Sequence, residues 1–353
     1  MLPTRTDLKT LILKGADPIK VIQVKNVKEA DYNALDEKKK ALYELNEETG
    51  MYDIPDDIWS ERVRSGAVAG VWPTTGGSST APIMDAYGVT DKIVLYDGQT
   101  GSEYKTAMDR FMEESGISYP EEPAADTGEI LEVGHEEEDS IRKRFKRIYE
   151  EDHPGDTVKV INDTNCYQYN GASYWGLPDH MKGILANVDG IIEITSGKNT
   201  YRGIIECKTS RFNSKTTKLF KQGIVPYYYY IQLVIYMATL NLPFAYICLK
   251  TGMYKEDFTY IYVERNLDIE KIVLDAVDEF FTDVEDDNPP SVEGEPASKI
   301  LEFYRKSFGP IKEDAPIVEL PAEYADTALK LMDVNNRISE LEASKKAATM
   351  QDI

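Results

Sequence analysis

The stretch YRGIIECKTS, residues 201–210, places a glutamate and a lysine two positions apart within an apolar run that predicts a β-strand. Because side chains alternate between the two faces of a strand, Glu206 and Lys208 lie on the same face. The simplest interpretation is an exposed face of an edge strand that carries an ordinary ion pair. The alternative is a buried functional site, which requires other polar side chains that converge on the same face.

The composition is typical of a folded protein. With 353 residues, 42% of them hydrophobic, the chain can form one large domain or two smaller ones. Cys166, Cys207 and Cys248 are widely spaced and form no C-x-x-C, so they support neither a disulfide framework nor a cysteine-rich metal site. The N-terminus lacks the features of a signal peptide, and we expect a cytoplasmic protein.

One uncharged segment, residues 227–249, is long enough to raise the question of a membrane span. Its run of tyrosines, together with Gln232, Asn241 and Pro243, instead predicts a buried helix, a break and a buried strand. We therefore expect no membrane partner.

The charge of the chain is strongly negative but unevenly distributed. A net charge of −22 predicts repulsion from nucleic acid and suits an acidic DNA-mimic inhibitor. Residues 202–222, however, contain six basic residues and only one acidic residue, Glu206. A mimic has no use for such a basic segment, so the segment favours a protein that contacts phosphate.

The order of predicted elements indicates an α/β (α+β) fold in which a central mixed sheet is flanked by helices. We expect an N-terminal helical extension at 1–55, a central domain at 56–285, an acidic Pro-containing linker at 286–320 and a C-terminal helix at 321–353. The clearest helical piece of the extension is EADYNALDEKKKALYELNEE. A weak heptad pattern in the last region fits either a coiled coil or a single packing helix.

Four further polar residues are candidates for a site around Glu206. Glu138 lies three positions before Ile141, which begins the apolar stripe of a helix that starts at Gly134. Asp189 lies inside GILANVDGIIEI, residues 183–194, which predicts the first strand of a hairpin. Gln232 and Tyr236 share one face of the helix that follows Pro226. A carboxylate in an apolar strand is costly unless a cation or a donor meets it.

This set of side chains indicates a specific chemistry. Carboxylates that cluster without histidine or cysteine bind hard cations, typically Mg²⁺ or Mn²⁺ with retained waters. A lysine beside such a cation can orient or deprotonate a water molecule while the cation stabilises charge on a phosphate. Hydrolysis of a phosphodiester bond is the reaction that fits.

Four segments resemble the motifs of a known family. ANVDG, IIECKTS, VGHEEEDSIRKRF and IQLVIYM are similar, in this order, to the motifs of the PD-(D/E)XK nuclease superfamily. The similarity is strongest to the YqaJ-like viral recombinase exonucleases, the lambda-type exonuclease family. Val188 stands where the motif has proline, and Asp189 precedes Glu206 by 17 residues, a gap that the turn TSGKN accommodates.

The resemblance implies a restriction-endonuclease-like core and assigns roles to the candidates. Asp189, Glu206 and the Cys207 carbonyl would bind Mg²⁺, or Mn²⁺ in its place, and Lys208 would position the attacking water. Glu138 would assist through a second metal or a bound water. Gln232 and Tyr236 would orient this assembly.

The resemblance also suggests contacts to DNA. The segment TTGGSSTAPIM is similar to the family's Gly-Ser loop, which would make Ser78 a contact for the terminal phosphate. The family's arginine a few residues earlier has no counterpart, since the nearest are Arg62 and Arg64. Arg211 and Lys215 are predicted to be further phosphate contacts.

By resemblance, the protein would digest one strand of linear double-stranded DNA from 5′ to 3′ and leave a single strand for an annealing protein. The working form would be a homo-oligomeric ring, a trimer or a tetramer, in a phage-infected or prophage-carrying bacterial cell. A structure- or sequence-specific endonuclease is the related alternative. A DNA-mimic inhibitor is the alternative from another class.

Overall fold

The computed structural model describes residues 19–21, 26–27, 29–33, 40, 43–47, 49–53, 73–84, 86–89, 93, 105–115, 125–163, 166–169, 179–291, 301, 330, 333, 336 and 337. Besides two short 3-10 helices, Asp179–Gly183 and Lys255–Asp257, the described residues form α-helices and β-strands. In chain order these are β1 Ile19–Val21, β2 Asn26–Val27, α1 Glu29–Asn33, β3 Glu44–Asn46, β4 Met51–Asp53, β5 Thr75–Gly76, α2 Gly77–Met84, α3 Ala107–Glu114, α4 Ala125–Asp152, β6 Asp156–Ile161, β7 Cys166–Gln168, β8 Ile184–Asn187, β9 Gly190–Ser196, β10 Asn199–Thr209, α5 Lys215–Lys221, α6 Tyr227–Leu240, β11 Phe244–Lys250, β12 Phe258–Glu264 and α7 Leu267–Glu285.

A mixed five-stranded sheet forms the centre of the fold, with strand order β12-β11-β10-β9-β6. Strands β10 and β11 are parallel, while β9–β10, β11–β12 and β6–β9 are antiparallel. Strand β10, which carries Glu206 and Lys208, is the middle strand, so the edge-strand interpretation is wrong. The predicted α/β class with a central mixed sheet is confirmed.

Two helices cover the two faces of the central sheet because each has an apolar stripe. The stripe of α4 is Ile141, Phe145, Ile148 and Tyr149, each no more than 5% exposed, and it packs with the side chains that β10 and β11 direct to that face. On the other face, α6 is buried over most of its length. Side chains of β10 alternate between these two layers, which places Glu206 and Lys208 on the α6 side.

The region around residues 227–249 is confirmed as a helix, a break and a buried strand. Helix α6 ends at Asn241, which adopts a left-handed conformation with φ of 50°. Arg265 donates a hydrogen bond of 2.7 Å to the Asn241 side chain and pairs with Glu270 at 2.6 Å, and all three residues are buried. Among the described residues, no helix is long and apolar enough to cross a membrane.

The structure differs from the predictions in two other places. Residues 183–194 are not one strand, because β8 pairs with β5 and β7 in a four-stranded sheet whereas β9 joins the central sheet. In the described part of residues 1–55, four short strands accompany the helical residues Glu29–Asn33 and Lys40, so strands occur there beside the predicted helical pieces. Strand β3 lies near the C-terminal end of residues 29–48, the segment predicted as the clearest helical piece of the extension.

The chain divides into two compact units, residues 1–307 and 308–353. In the first unit, α7 ends at Glu285, and Leu301, inside the predicted linker, is helical. In the second unit, the described residues at 330, 333, 336 and 337 are helical. The remainder of the predicted linker and C-terminal helix lies outside the described residues, and the predicted domain boundaries stay predictions.

Candidate active site

Glu206 and Lys208 form a buried ion pair in the middle of the central sheet. The Lys208 Nζ atom lies 2.7 Å from Glu206 Oε1, and the side chains are 20% and 2% exposed, respectively. The ammonium group also lies 4.8 Å from the centroid of the Tyr229 ring, at a distance typical of a cation–π contact. Glu206 is thus removed from bulk water, whereas Lys208 stays partly exposed.

Helix α6 contributes Gln232 and Tyr236 to the same site. Gln232 Nε2 donates a hydrogen bond of 2.9 Å to Glu206 Oε1 and lies 2.9 Å from the Tyr236 hydroxyl. The spacing of four residues places both side chains on one face of the helix. Helix α6 therefore fixes the orientation of the Glu206 carboxylate.

Asp189 reaches the site from the junction between two sheets. Its Oδ2 atom accepts a hydrogen bond of 2.6 Å from the Cys207 backbone N–H. The next residue is glycine for a steric reason: a Cβ atom at Gly190 would lie 3.0 Å from the carbonyl oxygen of Ile161 and 3.0 Å from a methyl group of Ile205. The tight packing of this junction brings the Asp189 carboxylate next to β10.

Burial controls the ionisation of the two carboxylates. Desolvation, reinforced by the charge of Asp189 and opposed by Lys208, raises the pKa of Glu206 to about 8. Desolvation also raises the pKa of Asp189, although Lys208 opposes this effect. Burial alone would lower the pKa of Lys208, but the charges of Glu206, Tyr229 and Asp189 outweigh it, so the pKa of Lys208 lies above its usual value. Lys208 therefore stays protonated.

One oxygen of the site is left without a partner. Glu206 Oε1 accepts a hydrogen bond from Gln232 and pairs with Lys208. Glu206 Oε2, in contrast, is buried and has no hydrogen-bond partner among the described residues. A buried polar atom without a partner is costly and requires an explanation. A bound cation would supply the missing interaction.

Glu138 lies on α4, and its charge adds to the desolvation that raises the pKa values of Asp189 and Glu206. Its backbone carbonyl is 3.8 Å from Cys207 Sγ, and its carboxylate contacts His135 Nδ1 at 2.8 Å and Arg142 at 3.3 Å. Arg142 in turn donates a hydrogen bond of 2.8 Å to the carbonyl oxygen of Asp189. The carboxylate of Glu138 is thus linked to Asp189 through Arg142.

Sequence reasoning did not single out Arg142, although it is buried and bridges these two elements. The residue belongs to a segment that begins with acids and continues with bases, a pattern that also occurs on exposed helices. Its position next to Ile141, the start of the apolar stripe, was the signal that could have identified it.

The donors fit a cation that keeps part of its hydration shell. Asp189 Oδ2 lies 2.6 Å from the backbone nitrogen of Cys207, which follows Glu206 in β10, so two carboxylates meet at this point of the strand. No group of three or more His, Cys, Asp or Glu side chains in the described part of the chain is arranged to hold a metal. Mg²⁺ is bound in proteins by one or two carboxylates and several waters, so this sparse oxygen set suits it.

Ser78 lies next to the site, but on a helix and not in a loop as predicted. It is exposed in the first turn of α2, and the preceding Gly77 packs against α6. A Cβ atom at Gly77 would lie 2.4 Å from Tyr236 Cε1 and 2.9 Å from Gln232 Cγ, so a larger residue does not fit there without a shift. The start of α2 is therefore pressed against the residues that orient Glu206.

A buried ionic network, also missed by sequence reasoning, holds the chain just before α2. Arg110 pairs with Glu113 at 2.5 Å and with Glu114 at 2.7 Å. Glu114 also accepts a hydrogen bond of 3.0 Å from the backbone N–H of Thr74. Spacings of three and four residues on a helix are equally typical of surface pairs, so the sequence pattern alone did not indicate burial.

Arg211 and Lys215 lie beyond the end of β10 and are exposed. The Arg211 carbonyl accepts a hydrogen bond of 2.8 Å from Thr217, which fixes the turn between β10 and α5. The structure places both residues close in sequence to Lys208 and on the surface.

Residues 97–253 match the family model of the YqaJ-like viral recombinase domain. The matched segment contains Glu138, Asp189, Glu206, Lys208 and Gln232, and the predicted resemblance to this family is confirmed.

The chain is also similar to two solved structures. One is LHK-Exo in complex with dAMP, which is 16% identical, with 68% of this chain and 96% of that chain covered and a TM-score of 0.39. The other is an alkaline exonuclease (LHK-Exo) from Laribacter hongkongensis, which is 17% identical, with 60% and 90% covered and a TM-score of 0.34. No curated protein matches the chain at a significant level.

Proposed function

We propose that the protein is a metal-dependent exonuclease that hydrolyses one strand of linear double-stranded DNA, from 5′ to 3′. The observation that carries the proposal is the buried Glu206–Lys208 pair beside Asp189, with one Glu206 oxygen left for a cation. Mg²⁺, or Mn²⁺ in its place, would supply Lewis-acid stabilisation of the charge that develops on the phosphate. Asp189, Glu206 and the Cys207 carbonyl would hold it.

The side chains of the chain have separate tasks in this reaction. Lys208, whose ammonium group lies 2.7 Å from Glu206 Oε1, would orient the attacking water and stabilise negative charge. Gln232 holds Glu206 Oε1 and thereby directs the other oxygen away from α6, while Tyr236 limits the movement of Gln232. Glu138 acts on Asp189 through Arg142.

Substrate binding is proposed to involve the start of α2 and the basic segment after β10. Ser78 would contact the terminal phosphate, since Gly77 keeps the start of α2 against Tyr236. Arg211 and Lys215 would contact backbone phosphates near the site. Contacts of this kind are independent of DNA sequence, as an exonuclease requires.

The family match supports a proposed biological setting. A viral recombinase domain suits a protein that prepares single strands for an annealing partner in a phage-infected or prophage-carrying bacterial cell. The three buried free cysteines are compatible with a reducing cytoplasm. A closed ring, a trimer or a tetramer, would concentrate the basic segments around the DNA and direct the acidic remainder of each chain, whose net charge is −22 in total, outward.

The decisive experiment uses linear duplex DNA labelled at either the 5′ or the 3′ end, with Mg²⁺ or with EDTA, and a covalently closed circle. We expect early loss of the 5′ label, no reaction in EDTA and intact circles. Cutting of the circle would instead support the endonuclease alternative, and early loss of the 3′ label would reverse the proposed direction. Light scattering at working concentration tests the ring, because a monomer alone would contradict it.

A further inference from the structure

A large aromatic side chain is exposed immediately after the proposed catalytic strand. Phe212 is 55% exposed in the turn between β10 and α5. Its ring makes a cation–π contact, since Lys221 Nζ lies 4.3 Å from the ring centroid. The exposure of a phenylalanine costs free energy in a free protein, so such a residue often marks a contact site.

The surroundings of Phe212 are positively charged. Residues 207–222 contain five basic residues and no acidic residue, in a chain with a net charge of −22. Lys215, Lys218 and Lys221 follow one another at spacings of three along α5 and are exposed, while Thr217 and Phe220 on the other side are buried. The turn and α5 therefore present a continuous basic surface around one aromatic ring.

We propose that this surface, consisting of Arg211, Phe212, Lys215, Lys218 and Lys221, binds single-stranded DNA. The cations contact successive phosphates, and the Phe212 ring stacks on an unpaired base. A basic groove combined with exposed aromatic rings is how proteins bind single strands without sequence preference. The inference rests on the proposed function only for the identity of the ligand as DNA.

The geometry favours a single strand over an intact duplex. In a duplex the bases are stacked inside, and the backbone offers phosphates and sugars but no flat apolar surface. The four cations of this surface would suffice to bind a duplex, and an exposed Phe212 would add little to that binding. Phe212 follows Lys208 by four residues, so the two lie at most about 14 Å apart along the chain. The bound base is thus only a few nucleotides from the proposed site of cleavage.

A second copy of this chain is the competing occupant of the surface. In a two-fold contact through Phe212, the lysines of both copies would face one another, and like charges at close range are unfavourable. A polyanion, in contrast, complements the surface. The charge therefore favours DNA.

Binding is measured by fluorescence anisotropy in EDTA, so that no cleavage occurs. The probes are a labelled single strand, the same strand with abasic sites and a blunt duplex of equal length. The variants are Phe212→Ala, Phe212→Trp and Lys218→Ala, and Tyr254→Ala serves as the matched control, because Tyr254 is a 73% exposed aromatic residue on another loop. Phe212 is exposed, so its substitution leaves the core intact.

We expect Phe212→Ala to weaken binding of the single strand about 5- to 150-fold, the range found when one stacking residue is removed. Phe212→Trp and Tyr254→Ala should bind like the wild type, and the affinity for the blunt duplex should be unchanged in Phe212→Ala. The salt dependence of Phe212→Ala should equal that of the wild type, whereas Lys218→Ala should reduce its slope by about 0.7. Abasic sites should lower the affinity of the wild type to that of Phe212→Ala.

Two results would overturn the inference. One is an equal loss in Phe212→Ala for the single strand and for its abasic version, because stacking would then play no part. The other is an unchanged affinity together with a smaller oligomer in light scattering, which would assign Phe212 to a contact between copies. Neither result would contradict the nuclease proposal, which depends on cleavage of the blunt duplex by the wild type with Mg²⁺.

Discussion

We expect Glu206 to make the metal-free protein less stable as the pH rises, and we expect Glu206→Gln to remove that loss. Burial and the charge of Asp189 raise the pKa of Glu206 from an ordinary value of 4.5 to about 8. Between these values the folded protein binds one proton more than the unfolded chain, so this contribution is complete below pH 4.5 and is lost as the pH rises through 8. One pH unit inside this window corresponds to about 1.36 kcal/mol, which predicts a loss of roughly 2.7 kcal/mol between pH 5.5 and 7.5.

The assay is urea unfolding in EDTA at pH 5.5 and at pH 7.5. The wild type should lose roughly 2.7 kcal/mol more of its free energy of unfolding than Glu206→Gln over this interval. The exposed Glu256→Gln is the matched control and should keep the wild-type loss. Saturating Mg²⁺ should diminish the loss in the wild type, because a cation stabilises the ionised carboxylate. Equal losses in the wild type and Glu206→Gln would refute the reasoning, since Lys208 would then have outweighed burial.

Three further predictions concern catalysis, packing and the stability of the core. Lys208→Ala should reduce cleavage of linear duplex DNA below detection while its far-UV circular dichroism stays native, and measurable turnover by the folded variant would remove the role of Lys208. Gly77→Ala should lower activity at least tenfold, because the new Cβ atom would lie 2.4 Å from Tyr236 Cε1, whereas Gly134→Ala has open space and should leave activity unchanged; similar kinetics of the two variants would contradict this. Arg265→Ala should cost about 3–5 kcal/mol in urea unfolding, because it leaves a buried carboxylate unpaired, and a loss under 1 kcal/mol would show that the pair is dispensable.

The helices and strands near the site were predictable because their patterns are local. The break at Asn241 followed from residues that end helices, and the structure has Asn241 in the left-handed conformation that this side chain tolerates. The spacing of Gln232 and Tyr236 required only the period of a helix. The predicted inward stripe of α4 also followed from spacing, and its members are buried.

Other predictions failed where neighbours in space decided the outcome. The apolar pattern of residues 183–194 was continuous, but no pattern indicates that β8 and β9 pair with different partners. Ser78 was expected in a loop because its segment is rich in glycine and serine, which are poor helix formers. Packing of Gly77 against Tyr236 supports helix α2 there despite these weak propensities.

The sequence by itself determined which side chains could share one face of β10, since alternation along a strand is fixed by backbone geometry. It also predicted a type of chemistry, because carboxylates and a lysine without histidine or cysteine indicate a hard cation and a phosphate. Only the tertiary structure decided that Glu206 is buried in a middle strand, that Glu138 reaches Asp189 through Arg142, and that one oxygen of Glu206 is left without a partner. The physical reason is that desolvation and hydrogen bonding depend on all the groups that surround an atom, and most of these groups are distant in the chain.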